Sequence, residues 1–169
     1  MKRLIPLAPI ALAASLAACA PSDPVLTGPQ PIVFSTEAFA WSAVPGTASI
    51  EGRVAYAGGG REWRCAGSVG LTPETPWTRQ RFITLYGSAE RASLPAAVVR
   101  ARTVAEASGD YQAYVRSTTC DAQGRFEFSN LPDGDWFVIA PVTTQGADPV
   151  VVMRRVTTRG GRATSVTLD

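Results

Sequence analysis

Alternating apolar and polar residues predict strands in the region from residue 47 to residue 169. Near its start, Ile50, Gly52, Val54 and Tyr56 alternate with polar or small residues. This period of two ends at three consecutive glycines, a pattern that is typical of a strand followed by a turn. The first strand of the region is therefore predicted at this position.

Several later segments carry similar signals. The segment "CAGSVGLTP" predicts a short strand with Val69 and Leu71 on one face. Residues 111–120 predict another strand, and residues 136–142 ("WFVIAPV") form the nearly continuous apolar run of a strand buried on both faces. Residues 149–169 predict a closing hairpin. About seven short strands separated by turns predict a mainly β fold, an antiparallel immunoglobulin-like β-sandwich.

The segment from residue 76 to residue 107 departs from this pattern. Thr75 is a candidate N-cap and Pro76 a candidate first helical residue, since proline is favoured at that position. The second half of the segment is rich in alanine, but its β-branched pairs leave a strand open as an alternative. We predict a partly helical or irregular insertion.

The N-terminus has the order of charged, apolar and small residues that marks a secretory signal peptide. Lys2 and Arg3 precede an apolar run over residues 4–18. A helix of this length is too short to span a bilayer core of about 30 Å. We therefore assign residues 1–18 to a signal peptide and exclude them from the fold.

The sequence "LAAC", which ends at Cys19, resembles a bacterial lipoprotein signal. The resemblance implies cleavage before Cys19, a diacylglycerol on its thiol, and acylation of its amine by a chain such as palmitate. Each buried methylene contributes about 0.8 kcal/mol, so several acyl chains would form a lasting membrane anchor. No aspartate directly follows Cys19, and the resemblance then implies the outer membrane. The alternative is an ordinary signal peptide cleaved near Ala18 or Ala20.

Residues 19–46 are predicted to form a proline-rich tether between this anchor and the domain. Apolar residues such as Phe39 and Trp41 interrupt the tether, so part of it could lie along the domain instead.

Two further cysteines, Cys65 and Cys120, lie in the predicted domain. In an exported protein, a pair of cysteines suggests a disulfide. This bond would close a loop of about 55 residues and would stabilise the fold by about 4 kcal/mol in the chain-entropy model. Two separately buried free thiols are the alternative.

Charge and composition restrict the possible functions. The chain has 16 Lys and Arg residues, 14 Asp and Glu residues and no histidine. Without Lys2 and Arg3 the net charge is close to zero, which argues against a nucleic-acid partner. Serine or cysteine nucleophiles that are activated by histidine or lysine are excluded, because the rest of the chain lacks both activating residues. We expect no enzymatic activity, no cofactor and no metal site.

The stretch "CDAQGRFEFSNLPDGDWFVIA" resembles the carboxypeptidase regulatory-like domains, which are transthyretin-like β-sandwiches. The resemblance implies that residues 47–169 form such a domain, and it is architectural because its motif carries no catalytic group. Among transthyretin-like proteins, the hydroxyisourate hydrolases use histidines that this chain lacks. The matching positions are Asp121, Gly124, Phe126, Phe128, Leu131, Pro132, Gly134 and Trp136.

Three aspartates, Asp121, Asp133 and Asp135, could gather at one end of the sandwich and bind calcium. Aspartate is also common in turns for local reasons, and we favour that interpretation.

Aromatic and basic residues around the insertion are the candidate ligand-binding residues. An exposed pair of Trp63 and Trp77 near Tyr86 would suit stacking on a sugar ring, whereas buried rings would only pack the insertion against the sheet. Arg79 and Arg81 could add contacts to an acidic glycan or peptide.

The sequence thus predicts a non-enzymatic lipoprotein module of the bacterial envelope that binds a protein partner through the insertion and a sheet edge. A carbohydrate-binding or peptidoglycan-binding module is the alternative, and an unrecognised hydrolase with two close carboxylates is the third hypothesis.

Overall fold

The computed structural model describes residues 32–104 and 109–169, and within these ranges nine strands form two sheets. The predicted mainly β sandwich is confirmed, with two strands more than the seven or so expected. The strands are β1 (Ala48–Val54), β2 (Arg64–Cys65), β3 (Ser68–Pro73), β4 (Arg91–Pro95), β5 (Arg116–Thr119), β6 (Arg125–Leu131), β7 (Gly134–Thr143), β8 (Val150–Thr158) and β9 (Ala163–Leu168). The helices are α1 (Thr36–Ala43), α2 (Pro76–Tyr86), α3 (Ala96–Ala101) and a 3₁₀ helix, Gly109–Tyr114.

One sheet has three strands in the order β6-β1-β9, and the other has the order β4-β8-β7-β3-β5 with β2 beside β7. The pairing of β1 with β9 is parallel, and the other pairings are antiparallel. The predicted closing hairpin over residues 149–169 is therefore wrong. Both edges of β8 are already occupied by β4 and β7, so β9 crosses to the other sheet.

The core between the sheets contains the residues that the alternation placed inside. Phe126 and Phe128 are 5% exposed and Trp136 is fully buried. Gly52 is required here, because a Cβ atom at this position would lie 1.9 Å from Cζ of Phe126. The Phe126 ring of β6 therefore packs directly on Gly52 of β1, and both strands contribute to the same core.

A second cluster lies where α2 covers the six-stranded sheet. Phe82 of α2 stacks on Phe137 of β7, with ring centroids 4.2 Å apart. Met153 of β8 is buried in the same cluster. This contact explains the apolar run predicted over residues 136–142, because β7 is buried from both sides.

The insertion is partly helical, as predicted, but it also contributes strand β4 to the edge of the six-stranded sheet. The predicted start of α2 is confirmed. The Thr75 side chain accepts a hydrogen bond from the Thr78 backbone N–H at 3.2 Å, and the Thr78 hydroxyl accepts one from the Thr75 N–H at 2.7 Å. Pro76 occupies the first turn, and Gly87 ends the helix at φ 75°.

Residues 111–120 are only partly a strand. The segment Gly109–Tyr114 is a 3₁₀ helix, and β5 begins at Arg116. In a 3₁₀ helix, residues three apart lie on the same side. Tyr111 and Tyr114 accordingly both contact Phe39, at centroid distances of 6.0 and 5.0 Å. This tertiary contact overrides the strand pattern.

Helix α1 belongs to the packed domain. Residues 32–46 belong to the same compact unit as the predicted domain, which therefore starts before residue 47. Trp41 packs against Trp136 at 4.9 Å, and a Cβ atom at Gly134 would lie 2.2 Å from the Trp41 ring. Residues 32–46 are thus packed structure instead of tether, because they carry the apolar groups that cover this side of the core. Residues 1–31, with Cys19, lie outside the described residues, as do residues 105–108.

None of the helices within residues 32–104 and 109–169 is long and apolar enough to cross a membrane.

Candidate functional site

One end of the sandwich carries a groove between two connecting segments. We call it the loop-end groove: it lies between the β1–β2 loop (residues 55–63) and the β5–β6 turn (residues 120–124) and has a volume of about 650 Å³. Three further depressions share lining residues with it and measure about 730, 680 and 480 Å³. A smaller depression of about 250 Å³ lies elsewhere, beside Trp77 and Arg81.

Two aromatic rings form one wall of the groove. Tyr56 and Trp63 meet edge to face, with ring centroids 5.1 Å apart. The indole N–H of Trp63 donates a hydrogen bond to the Gly58 carbonyl at 2.8 Å. The Tyr56 ring lies over Gly58. A Cβ atom on residue 58 would be only 2.4 Å from the Tyr56 hydroxyl, so glycine leaves the space that the ring occupies. Both rings remain partly exposed. The loop thus fixes an aromatic pair before any ligand arrives.

The tip of the β1–β2 loop turns sharply between these rings. Gly59 and Gly60 have φ values of 63° and 66°, the left-handed conformation that glycine adopts without strain. Two consecutive residues of this kind are typical of a type I′ turn.

The opposite wall is polar and centres on Asp121. One oxygen of Asp121, Oδ1, accepts hydrogen bonds from the backbone N–H groups of Gln123 and Arg125 at 2.9 and 2.8 Å. The other oxygen, Oδ2, accepts one from Arg125 Nε at 2.8 Å. The backbone bond from Arg125 and its guanidinium lower the pKa of Asp121. Asp121 is therefore charged, and both of its oxygens are engaged.

Basic side chains surround the groove. Arg53 reaches it from β1, and Arg61 and Arg64 from the other side. Arg61 donates a hydrogen bond to the Gly146 carbonyl at 2.9 Å. Arg64 lies 3.7 Å from the Glu62 carboxylate, and both of these side chains are exposed.

The disulfide predicted between Cys65 and Cys120 is present, and its Cα atoms are 6.4 Å apart. Cys65 ends the short strand that follows the β1–β2 loop, and Cys120 begins the β5–β6 turn. The bond therefore joins the two segments that form the walls of the groove.

Trp63 and Trp77 do not form a common platform. Arg64, next to Trp63, pairs with Thr143 of β7, whereas Pro73, shortly before Trp77, pairs with Trp136. The two partners are seven residues apart on one strand, which corresponds to roughly 24 Å. The two tryptophans thus belong to opposite ends of the six-stranded sheet.

Trp77 packs helix α2 against α1. Its ring lies 5.5 Å from Phe34 and 5.1 Å from Tyr111. The Arg81 guanidinium lies 5.3 Å from the Trp77 ring centroid, within cation–π range. The sequence left open that the ring packs the insertion against the sheet. The ring does pack the insertion, but against Phe39 of α1 and Tyr111 of the 3₁₀ helix.

Tyr86 and Arg79, the other two candidates, also have partners inside the fold. Tyr86 packs on Phe82 at 5.2 Å, and burial raises its pKa to about 12. Arg79 forms ion pairs with Glu74 and Glu90, and its hydrogen bond with Glu74 raises its pKa. Of the five candidate residues, only Trp63 lines the groove.

The three aspartates considered for calcium have separate partners: Asp121 lies in the β5–β6 turn, Asp133 between β6 and β7, and Asp135 within β7. Asp133 accepts hydrogen bonds from the N–H groups of Gly160 and Gly161 at 2.7 and 3.3 Å. Asp135 pairs with Arg155 at 3.0 Å. Within the described part of the chain, no group of three or more histidine, cysteine or acidic residues could hold a metal ion.

The aromatic partner of Trp63 was missed at the level of sequence, where Tyr56 is only the last residue of a strand pattern. The available signal is the spacing itself: Tyr56 and Trp63 flank the glycine cluster Gly58–Gly60. A tight glycine turn brings the residues on either side of it together.

Comparison with known proteins identifies a solved structure with a similar fold. No family model and no curated protein matches this chain. A crystal structure from Pseudomonas aeruginosa, described as "a putative carbohydrate binding protein (PA1324)", is similar, with a TM-score of 0.60 and 22% identity. The alignment covers 80% of this chain and 96% of that one. At this identity the likeness shows a shared fold.

Proposed function

We propose that the protein is a non-enzymatic carbohydrate-binding module of the bacterial envelope, and that glycan binds in the loop-end groove. The observation that carries the proposal is the aromatic pair Tyr56–Trp63 on one wall, with arginines and Gln123 around it. Rings of this kind offer apolar area with a polar edge, and a few placed polar groups orient a ligand. The description of the Pseudomonas protein supports the same class of ligand.

The arrangement of carboxylates supports binding without catalysis. Glu51 and Glu127 lie directly opposite each other on β1 and β6 and form one arrangement of paired carboxylates among the described residues. Both are exposed on the outer face of the three-stranded sheet. A general acid for glycoside hydrolysis needs surroundings that raise its pKa, such as an apolar pocket. This open face offers none.

Replacing Trp63 with leucine is expected to weaken glycan binding at least tenfold, because the stacking surface is lost. The measurement is a glycan array followed by isothermal titration calorimetry with the best-bound glycan. The matched control is Trp41→Leu, which removes a tryptophan that packs on Trp136 away from the groove. Equal loss of affinity in both variants, or an array without any bound glycan, would contradict the proposal.

Attachment to the outer membrane through Cys19 is part of the proposal and follows from the resemblance of "LAAC" to a lipoprotein signal. The variant Cys19→Ser is expected to move the protein from the membrane fraction to the soluble fraction and to abolish labelling by radioactive palmitate. Ser22→Ala, three residues later, serves as the control and should remain membrane-bound. Unchanged fractionation and labelling of Cys19→Ser would contradict the anchor.

A protein partner is the second candidate function. Ile83 of α2 and Val98 of α3 are 42% and 40% exposed, and Ile32 and Val33 before α1 are 50% and 70% exposed. Photo-crosslinking from Ile83 in cells would give a discrete protein adduct under this second candidate. Adducts from Trp63 on glycan would favour the first.

A further inference from the structure

We propose that the loop-end groove selects saccharides that carry a carboxylate over neutral ones. This inference rests on the proposed function and adds the chemical class of the ligand. Three observations support it: the arginines without an acidic partner, the cross-strand position of one of them, and the shortage of free acceptors in the groove.

The first observation concerns Arg53 and Arg61. Within residues 32–104 and 109–169, neither guanidinium has a carboxylate within ion-pair distance. The two acidic residues that line the groove are both taken, Glu62 by Arg64 and Asp121 by Arg125. Arg53 and Arg61 thus bring two positive charges to the groove, and the neighbouring acidic row on the sheet, Glu51 and Glu127, lies outside it.

The second observation is the register of β1 and β6. Arg53 lies directly opposite Arg125, so the two positively charged side chains leave the sheet on the same face. Like charges directly opposite each other on a sheet are unfavourable. A ligand carboxylate near Arg53 would offset this repulsion. The repulsive pair Glu51–Glu127 lies one row farther along the strands and does not line the groove.

The third observation is the balance of donors and acceptors. Both oxygens of Asp121 already accept hydrogen bonds. The side chains left for a ligand are three arginines, which only donate, Gln123 and Tyr56, which can do both, and the exposed Glu62, whose carboxylate lies 3.7 Å from Arg64. Neutral hydroxyl groups need acceptors as well as donors, whereas a carboxylate accepts only and forms strong charge-assisted bonds with guanidinium. The groove thus matches an acidic sugar, such as a uronic acid, better than a neutral one.

The test uses a glycan array with matched pairs: oligogalacturonate with its methyl ester, and sialylated glycans with their desialylated forms. We expect the acidic member of a pair to bind about tenfold more tightly, since each charge-assisted hydrogen bond contributes on this scale. The preference should shrink as salt rises.

The variants Arg53→Gln and Arg61→Gln combined should lower affinity for the acidic member about tenfold and affinity for the neutral member by a clearly smaller factor, so that the preference for the acidic member is lost. Arg162→Gln is the matched control, because it removes the same charge next to Ala163, at the opposite end of the three-stranded sheet from Arg53. If the acidic and neutral glycans of each pair bound equally well, and Trp63→Leu weakened the binding of both, this inference would be overturned and the proposed function would remain intact. Absence of binding to every glycan would overturn both.

Discussion

Replacement of Phe39 with alanine is expected to lower the free energy of unfolding by about 3–5 kcal/mol. Phe39 is fully buried, and its ring contacts Phe34 at 5.2 Å, Tyr111 at 6.0 Å and Tyr114 at 5.0 Å between centroids. Truncation would leave a cavity among these rings and would detach α1 from the 3₁₀ helix. Urea denaturation followed by tryptophan fluorescence measures the change.

The control for this variant is Val44→Ala. Val44 follows α1 directly and is 58% exposed, so its truncation should change stability by less than about 0.5 kcal/mol. If Phe39→Ala were as mild as the control, α1 would be a detachable tether, and the inclusion of residues 36–43 in the domain would be wrong.

Removal of the disulfide is the second large effect. The double variant Cys65→Ser and Cys120→Ser is expected to lose about 4 kcal/mol of stability, because the unfolded chain regains the entropy of an open loop. The residues are 55 positions apart, which makes this loop long. The same variant should also bind glycan more weakly, since the two walls of the loop-end groove are no longer held together.

Thermal unfolding of the double variant and calorimetric titration with glycan measure the two effects separately. Wild-type protein treated with a reducing agent provides the control, and it should match the double variant in both measurements. Full glycan affinity in a destabilised but folded variant would show that the disulfide serves stability alone.

The sequence predicted those parts of the fold in which local pattern and tertiary structure agree. The alternation around Ile50 correctly predicted β1, and the apolar run from Trp136 correctly predicted β7. The pair Thr75–Pro76 correctly predicted where α2 begins. The predicted pairing of β9 with β8 was wrong. Both edges of β8 are occupied by β4 and β7, so β9 pairs with β1 instead, and local sequence does not show which edges are free. The Tyr111 segment was assigned wrongly because its contact with Phe39 decides its conformation.

The candidate site was predictable only in part. The pair Cys65–Cys120 was identified correctly, since the residue type carries the signal. Of the two alternatives for Trp63 and Trp77, a shared platform does not form, because strand pairing along β7 separates them. Tyr56 was overlooked, because the last residue of a strand pattern is not by itself a binding signal, although its position across the glycine turn from Trp63 was visible in the sequence.

The most direct test of glycan binding in the loop-end groove is an NMR titration of ¹⁵N-labelled protein with the best-bound glycan of the array. The chain has 4 tryptophans, and each gives a separate indole signal. We predict that the Trp63 indole signal shifts on titration, together with the backbone signals of Gln123 and Arg53, while the Trp77 signal stays in place. A shift of Trp77 without one of Trp63, or no shift at all, would contradict the assignment of the groove as the binding site.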